Sequence, residues 1–84
     1  MIYEVVVSTA AQRDIRRLPP EHKARLGEAM LALAEDPHRQ GQKLAVADAY
    51  RKRVGDSRIV FRVNDADARV LVVRIRHRRE VHRR

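Results

Sequence analysis

Residues 49–76 read AYRKRVGDSRIVFRVNDADARVLVVRIR, and this run decides the fold. Two β-prone stretches, 49–54 and 57–63, are separated by Gly55-Asp56, a two-residue hairpin signal. Asn64-Asp65-Ala66-Asp67 then turns the chain into residues 68–76, which are rich in Val, Ile and Leu. Strands joined by such short turns pair antiparallel.

Working outward, residues 2–8 are rich in β-branched side chains and read as an opening strand. Thr9 is placed to cap a helix running to about Arg17, with Ala11, Ile15 and Leu18 spaced as one apolar stripe. Pro19-Pro20 stops that helix, and Pro20 suits the first turn of a second one over 21–35. There Leu26, Met30, Leu33 and Ala34 recur at helical spacing, and Asp36-Pro37 ends the element. Residues 36–48, small and polar, read as a loop. The order is β-α-α-β-β-β. It predicts a single α+β domain over residues 1–84, with a helix hairpin covering one face of a twisted, mainly antiparallel sheet.

A chain of 84 residues buries only about 60–65% of its unfolded surface, enough for one modest core. With no cysteine there is no disulfide framework and no Cys-based zinc site. The first residues lack a basic leader and a long apolar run, so neither a signal peptide nor a membrane span is expected. The expected compartment is the cytoplasm.

Charge is divided unevenly along the chain. Residues 1–48 carry seven Lys/Arg and seven acids. Residues 49–84 carry twelve Lys/Arg against four acids, so the whole net charge of +8 lies there, and eleven of those twelve cations are arginine. Arginine is permanently charged and bidentate toward phosphate, whereas lysine is a hydrated point charge. The pattern points to a phosphate-bearing partner, and nucleic acid is the commonest.

Strand side chains alternate between faces. In the middle strand Ile59, Phe61 and Val63 share one face and Arg58, Val60 and Arg62 the other. In the strand before it Tyr50 and Val54 lie opposite Arg51 and Arg53. Strict alternation in the last strand sets Leu71, Val73 and Ile75 against Val70, Val72, Arg74 and Arg76. With the helices on the apolar side, the other face gathers Arg51, Arg53, Arg58, Arg62, Arg74 and Arg76, with Arg78 and Arg79 beside it. His77 shares the parity of Ile75 and reads as structural, and core packing is the reading for Tyr50. His22 and His38 sit on the helix pair and its exit with no role assigned.

Four stretches taken together resemble the RelE/ParE toxins of type II toxin–antitoxin systems. They are YEVVVSTAAQRDIRRLP, LGEAMLALAEDP, YRKRVGDSRIVFRV and VLVVRIRHRREV, and they span nearly the whole chain. The arginine opening the middle strand and the terminal HRREV are closer to the RelE branch than to gyrase-poisoning ParE. The resemblance implies a toxin that cleaves ribosome-bound mRNA without a metal or cofactor, the ribose 2′-hydroxyl attacking its own 3′-phosphate. It implies an antitoxin partner, with operator DNA reached only through that antitoxin. The family's basic pair falls on Arg51 and Arg53, its strand arginine on Arg58 and its C-terminal arginine on Arg78.

Where many members carry a tyrosine, this sequence has His82. Histidine titrates near about 6.5 and suits both proton transfers of the reaction. The candidate catalytic set is Arg53, Arg58, Arg78 and His82. The candidate RNA-binding set is Arg51, Arg53, Arg62, Arg74, Arg76 and Arg79, and no metal site is expected. A ParE-like gyrase inhibitor without nuclease activity, or a catalytically weak antitoxin-binding homologue, are the alternatives.

Overall fold

The computed structural model describes residues 2–46 and 48–77. Eight elements follow one another: β1 (Glu4–Val7), α1 (Thr9–Arg16), α2 (Pro20–Ala32), α3 (Pro37–Gln40), β2 (Gln42–Lys43), β3 (Ala49–Val54), β4 (Ser57–Asn64) and β5 (Arg69–His77). The sheet runs in the order β1-β5-β4-β3-β2. β1 lies parallel to β5, and every other pair is antiparallel. The α+β architecture is therefore the one expected, enlarged by α3 and β2 within residues 36–48.

Local chemistry explains the boundaries. Ser8, not Thr9, caps α1. Its Oγ accepts the Ala11 N–H at 3.0 Å and donates to the Val73 carbonyl at 2.7 Å, pinning the helix start to β5. α2 stops three residues short of the expected end. Leu33, Ala34 and Glu35 donate to carbonyls only three residues back, a 3₁₀-type tightening ahead of Pro37. β2 can lie beside β3 because residue 41 is glycine. A Cβ there would fall 2.8 Å from the Phe61 ring and 3.1 Å from the Arg51 carbonyl. In the β3–β4 turn Gly55 adopts φ +59°, the left-handed conformation the hairpin signal anticipated.

The core lies between the helices and one face of the sheet. Leu18 of the α1–α2 joint, Ala11 of α1, Leu26 in the middle of α2 and Leu33 just beyond its end meet Ile59, Phe61, Val63, Val70, Val72 and Ile75. Burying a side chain such as Phe61 or Ile59 is worth about 1.5–3 kcal/mol relative to leaving it in water.

One expectation about facing is overturned. Strict alternation puts Leu71 and Val73 inward and Val70 and Val72 outward. Instead Val70 and Val72 are fully buried, and Leu71 is 38% exposed. A β-bulge is the cause. Val60 opposes Arg74, but the next residue, Phe61, opposes Val72, leaving Val73 as the extra residue of β5. Parity reverses across it, so Val70, Val72 and Ile75 all reach the core, and Leu71 joins the outer face.

Candidate nucleic-acid interface

On the outer face the ladder sets arginines directly against one another. Arg53 of β3 opposes Arg58 of β4, and Arg58 opposes Arg76 of β5, giving one row of three guanidinium side chains across adjacent strands. The neighbouring row is Arg51, Val60 and Arg74, and the next is Ala49, Arg62 and Leu71. Directly opposed side chains have Cβ atoms about 4.5–5.5 Å apart, and like charges so placed destabilise by up to roughly 1 kcal/mol per pair. Beneath the row, Ser57 and Ile59 of β4 are buried, which fixes β4 in place.

Carboxylates distinguish among these arginines. Arg62 donates from Nε and Nη2 to Asp48 at 3.0 and 2.8 Å. Arg74 donates likewise to Asp14 at 2.9 and 3.1 Å. Among the described residues no carboxylate makes an ion pair with Arg53, Arg58 or Arg76. Arg51 is held by a neutral partner, its Nη2 donating to Gln42 Oε1 at 3.0 Å. The six predicted sheet arginines thus share a face, but among the described residues only Arg62 and Arg74 of the six form an ion pair with a carboxylate. Arg78, Arg79 and His82 lie outside the described residues.

Asp14 is the buried acid of this region. Burial alone pushes its carboxyl up. Hydrogen bonds from Arg74 and the Ile75 N–H, with the positive charge of Arg74 and Arg76, more than offset that and hold it below the ordinary carboxylate value. Nothing in the sequence marked Asp14. It lies between Ala11 and Ile15 on α1, and only the course of that helix along the β5 edge reveals its partner.

Sequence reading also missed a hydrogen-bonded chain behind the sheet. Tyr3 donates its hydroxyl to Asp65 at 2.6 Å. The His38 ring bridges Asp65 at 2.8 Å and the Tyr50 hydroxyl at 2.7 Å. Tyr50 stacks on Phe61 with ring centroids 5.5 Å apart. This clasp ties α3 to the β4–β5 turn and leaves Tyr50 in the core, as its parity suggested. The His77 ring lies 5.4 Å from that of His22, on the helix side of the sheet.

At the other end of the outer face, Leu71 opposes Val6 of β1, which is also 38% exposed. Arg62 and Arg69 border a pocket of about 330 Å³ that includes Leu71. The outer face therefore grades from guanidinium-rich beside the β3–β4 turn to apolar beside β1. Among the described residues no group of three or more His, Cys, Asp or Glu is placed to hold a metal ion, and no helix is long and apolar enough to cross a membrane.

Residues 5–82 match the family described as the ParE toxin of type II toxin-antitoxin system, parDE. The chain is 34% identical over 87 residues to toxin RelG of Mycobacterium tuberculosis, covering 100% of each. Its fold is similar to the toxin–antitoxin complex RelBE2 of the same organism, with a TM-score of 0.86 and 31% identity, over 93% of this chain and 100% of that one. The archaeal RelE–RelB complex of Pyrococcus horikoshii OT3 follows at TM-score 0.82 and 27% identity, over 93% and 97%. The chain belongs to the ParE toxin family of type II toxin-antitoxin systems, within the RelE/ParE superfamily.

Proposed function

We propose that this toxin is a metal-independent endoribonuclease that cuts messenger RNA on the ribosome. The observation that carries the reading is the row Arg53–Arg58–Arg76, three directly opposed cations that form no ion pair with a carboxylate among the described residues. A fold tolerates such a row more readily when an anion bridges it, and a phosphodiester is such an anion. Kinship with toxins named RelG and RelE supports the same assignment.

In the reaction the ribose 2′-oxygen attacks the adjacent phosphorus as the bond to the 5′-oxygen breaks, leaving a cyclic phosphate and a 5′-hydroxyl. Negative charge builds on the phosphorane, and preorganised cations aimed at it supply the largest catalytic contribution. Arg58, flanked on both sides by arginine, takes that role together with Arg78. Arg53 supports the scissile phosphate from the adjoining strand. Arginine moves protons poorly because its pKa exceeds about 12. His82 is assigned the proton from the 2′-hydroxyl and its delivery to the leaving oxygen. Arg51, Arg76 and Arg79 track the RNA backbone. Arg62 and Arg74 bind it only where phosphate competes with Asp48 and Asp14.

The partner is a cognate antitoxin, as RelB is for the RelE proteins in the similar complexes. Operator DNA is reached only through it, and the toxin acts in the cytoplasm. Inhibition of DNA gyrase is the second reading, favoured by the ParE description of the matching family. The two separate in a translating extract. Sequencing of RNA 5′ ends should reveal new 5′-hydroxyl termini on mRNA when the toxin is added. Intact mRNA with accumulating gyrase–DNA cleavage complexes would decide for the second reading.

A further inference from the structure

Beside the arginine row, on the free edge of β3, the surface opens into a pocket of about 310 Å³ lined by Gln40, Gly41, Gln42, Arg51, Lys52 and Arg53. It exists because β2 is two residues long and pairs only with Tyr50 and Arg51. In an antiparallel strand every second residue directs its peptide groups to the same side. Ala49 points both of its groups toward the β2 side, giving its carbonyl to Leu44 N–H and its own N–H to Val46. Arg51 and Arg53 therefore point the same way, and past the end of β2 the Arg53 N–H faces the pocket.

The lining is rich in hydrogen-bond donors. Gln40 is anchored by donating its Nε2 to the Ala32 carbonyl at 2.7 Å, and its Oε1 accepts the Lys52 ammonium at 2.6 Å. Gln42 Oε1 is taken by Arg51. Each carboxamide oxygen thus already accepts one hydrogen bond from a cation, and no carboxylate lines the cavity. Donors outnumber acceptors in what remains: the Arg51 guanidinium, two further N–H groups of the Lys52 ammonium, the Arg53 N–H and the Gln42 amide nitrogen stand beside the Arg53 carbonyl, which points the same way as its N–H. The size is at the lower end for pockets that hold small ligands.

We infer that this pocket is a nucleotide subsite beside the cleavage centre, with Lys52 and Arg51 taking a phosphate and the Gln42 amide reading the base. The assignment rests on the ribonuclease reading and adds to it a specificity-determining residue. A donor at the Gln42 amide nitrogen fits the bases that carry a carbonyl where adenine and cytosine carry an amine, namely O6 of guanine and O4 of uracil. The exocyclic amines of adenine and cytosine meet another donor there. A single well-placed set of such hydrogen bonds discriminates on the order of tenfold.

The test has two arms on the full chain. In the first, amide NMR shifts are followed while GMP, UMP, AMP and CMP are added separately. The expected result is movement of Gly41, Gln42, Lys52 and Arg53, with GMP and UMP binding about tenfold more tightly than AMP and CMP. Lys52→Ala should weaken all four, and Gln42→Glu should reverse the order of bases. Equal affinities for the four nucleotides, or shifts confined to Arg58 and Arg76, overturn the assignment. In the second arm, the bases flanking mRNA cuts are compared for the wild type and Gln42→Glu. A changed base preference supports the subsite, and an unchanged one at retained cleavage overturns it. If the wild type makes no cuts, the ribonuclease reading fails, and the titration alone decides the pocket.

Discussion

Arg74 reaches over the edge of β5 to Asp14 of α1, its Nε and Nη2 lying 2.9 and 3.1 Å from the two carboxylate oxygens. One of those oxygens also accepts the Ile75 N–H at 2.9 Å. Asp14 thus occupies the place a strand would take beyond the end of β1, capping the β5 edge while neutralising an arginine of the outer face. Each half of the contact is needed. The peptide N–H would otherwise be buried without a partner, and the carboxylate would be a buried charge.

Replacing Asp14 by alanine should destabilise the fold by about 2 kcal/mol, mostly from the orphaned Ile75 N–H. Arg74 is 38% exposed, so water takes up much of its lost partner. Thermal unfolding should show a melting temperature lower by roughly 10 °C for a domain of this size. Because the Asp14 carboxyl is held below its ordinary value in the fold, its contribution is complete above the unfolded value of about 3.9. It vanishes as pH falls through the lower folded value. The gap between wild type and Asp14→Asn should therefore close in strong acid. A gap independent of pH would contradict the pairing.

Arg58 and Arg62 lie on the same face of β4, four residues apart, yet their surroundings predict opposite outcomes. Arg58 stands between Arg53 and Arg76, whereas Arg62 is engaged by Asp48. Arg58→Ala should lower the rate of mRNA cleavage by about 10²–10³-fold, the cost of removing one preorganised charge donor. Arg62→Ala should stay within a few-fold of wild type. Single-turnover cleavage of one defined message compares them directly. Equal losses would mean that the ion pair with Asp48 opens in the working complex.

The contrast between those two arginines marks how far the sequence carries. Period-two alternation placed Arg51, Arg53, Arg58 and Arg62 on one face, and helical spacing found Leu26 and Leu33, because each follows from side-chain direction within a single element. The bulge at Val73 was not legible. Nothing in VLVV distinguishes an extra residue from a regular strand, and one such insertion exchanged Leu71 with Val72 in the core. Ion pairs were equally hidden. Asp14 lies 60 residues from Arg74, so which arginines remain available depends on tertiary placement of acids. The short strand β2 escaped notice because two polar residues carry no periodicity.

Binding to single-stranded nucleic acid should be steeply salt-dependent. With Arg51, Arg53, Arg58 and Arg76 each neutralising one phosphate, log K should fall against log salt with a slope of about −3. Arg53→Ala should flatten it by about 0.7, and Arg62→Ala should leave it nearly unchanged. Fluorescence anisotropy with a DNA oligonucleotide, which lacks the attacking 2′-hydroxyl, reads the slope without cleavage. A slope near zero would remove the outer face from consideration as a polyanion site.

Gly41→Ala tests whether the β2–β3 edge is built on close approach. The added methyl would meet the Phe61 ring at 2.8 Å and the Arg51 carbonyl at 3.1 Å. Phe61 is fully buried and stacked on Tyr50, so the ring has no room to give way. Overpacking of this kind costs about 1–3 kcal/mol. The strain has a cheaper outlet, since β2 is short and can lift from β3. The expected signature is local: faster amide exchange at Leu44, whose N–H is bound to the Ala49 carbonyl. Amides of β4 and β5 should slow or quicken only with global stability. If Leu44 exchanges as in the wild type while the whole domain loses stability, the strain has gone into the core at Phe61, and β2 is more firmly seated than its length implies.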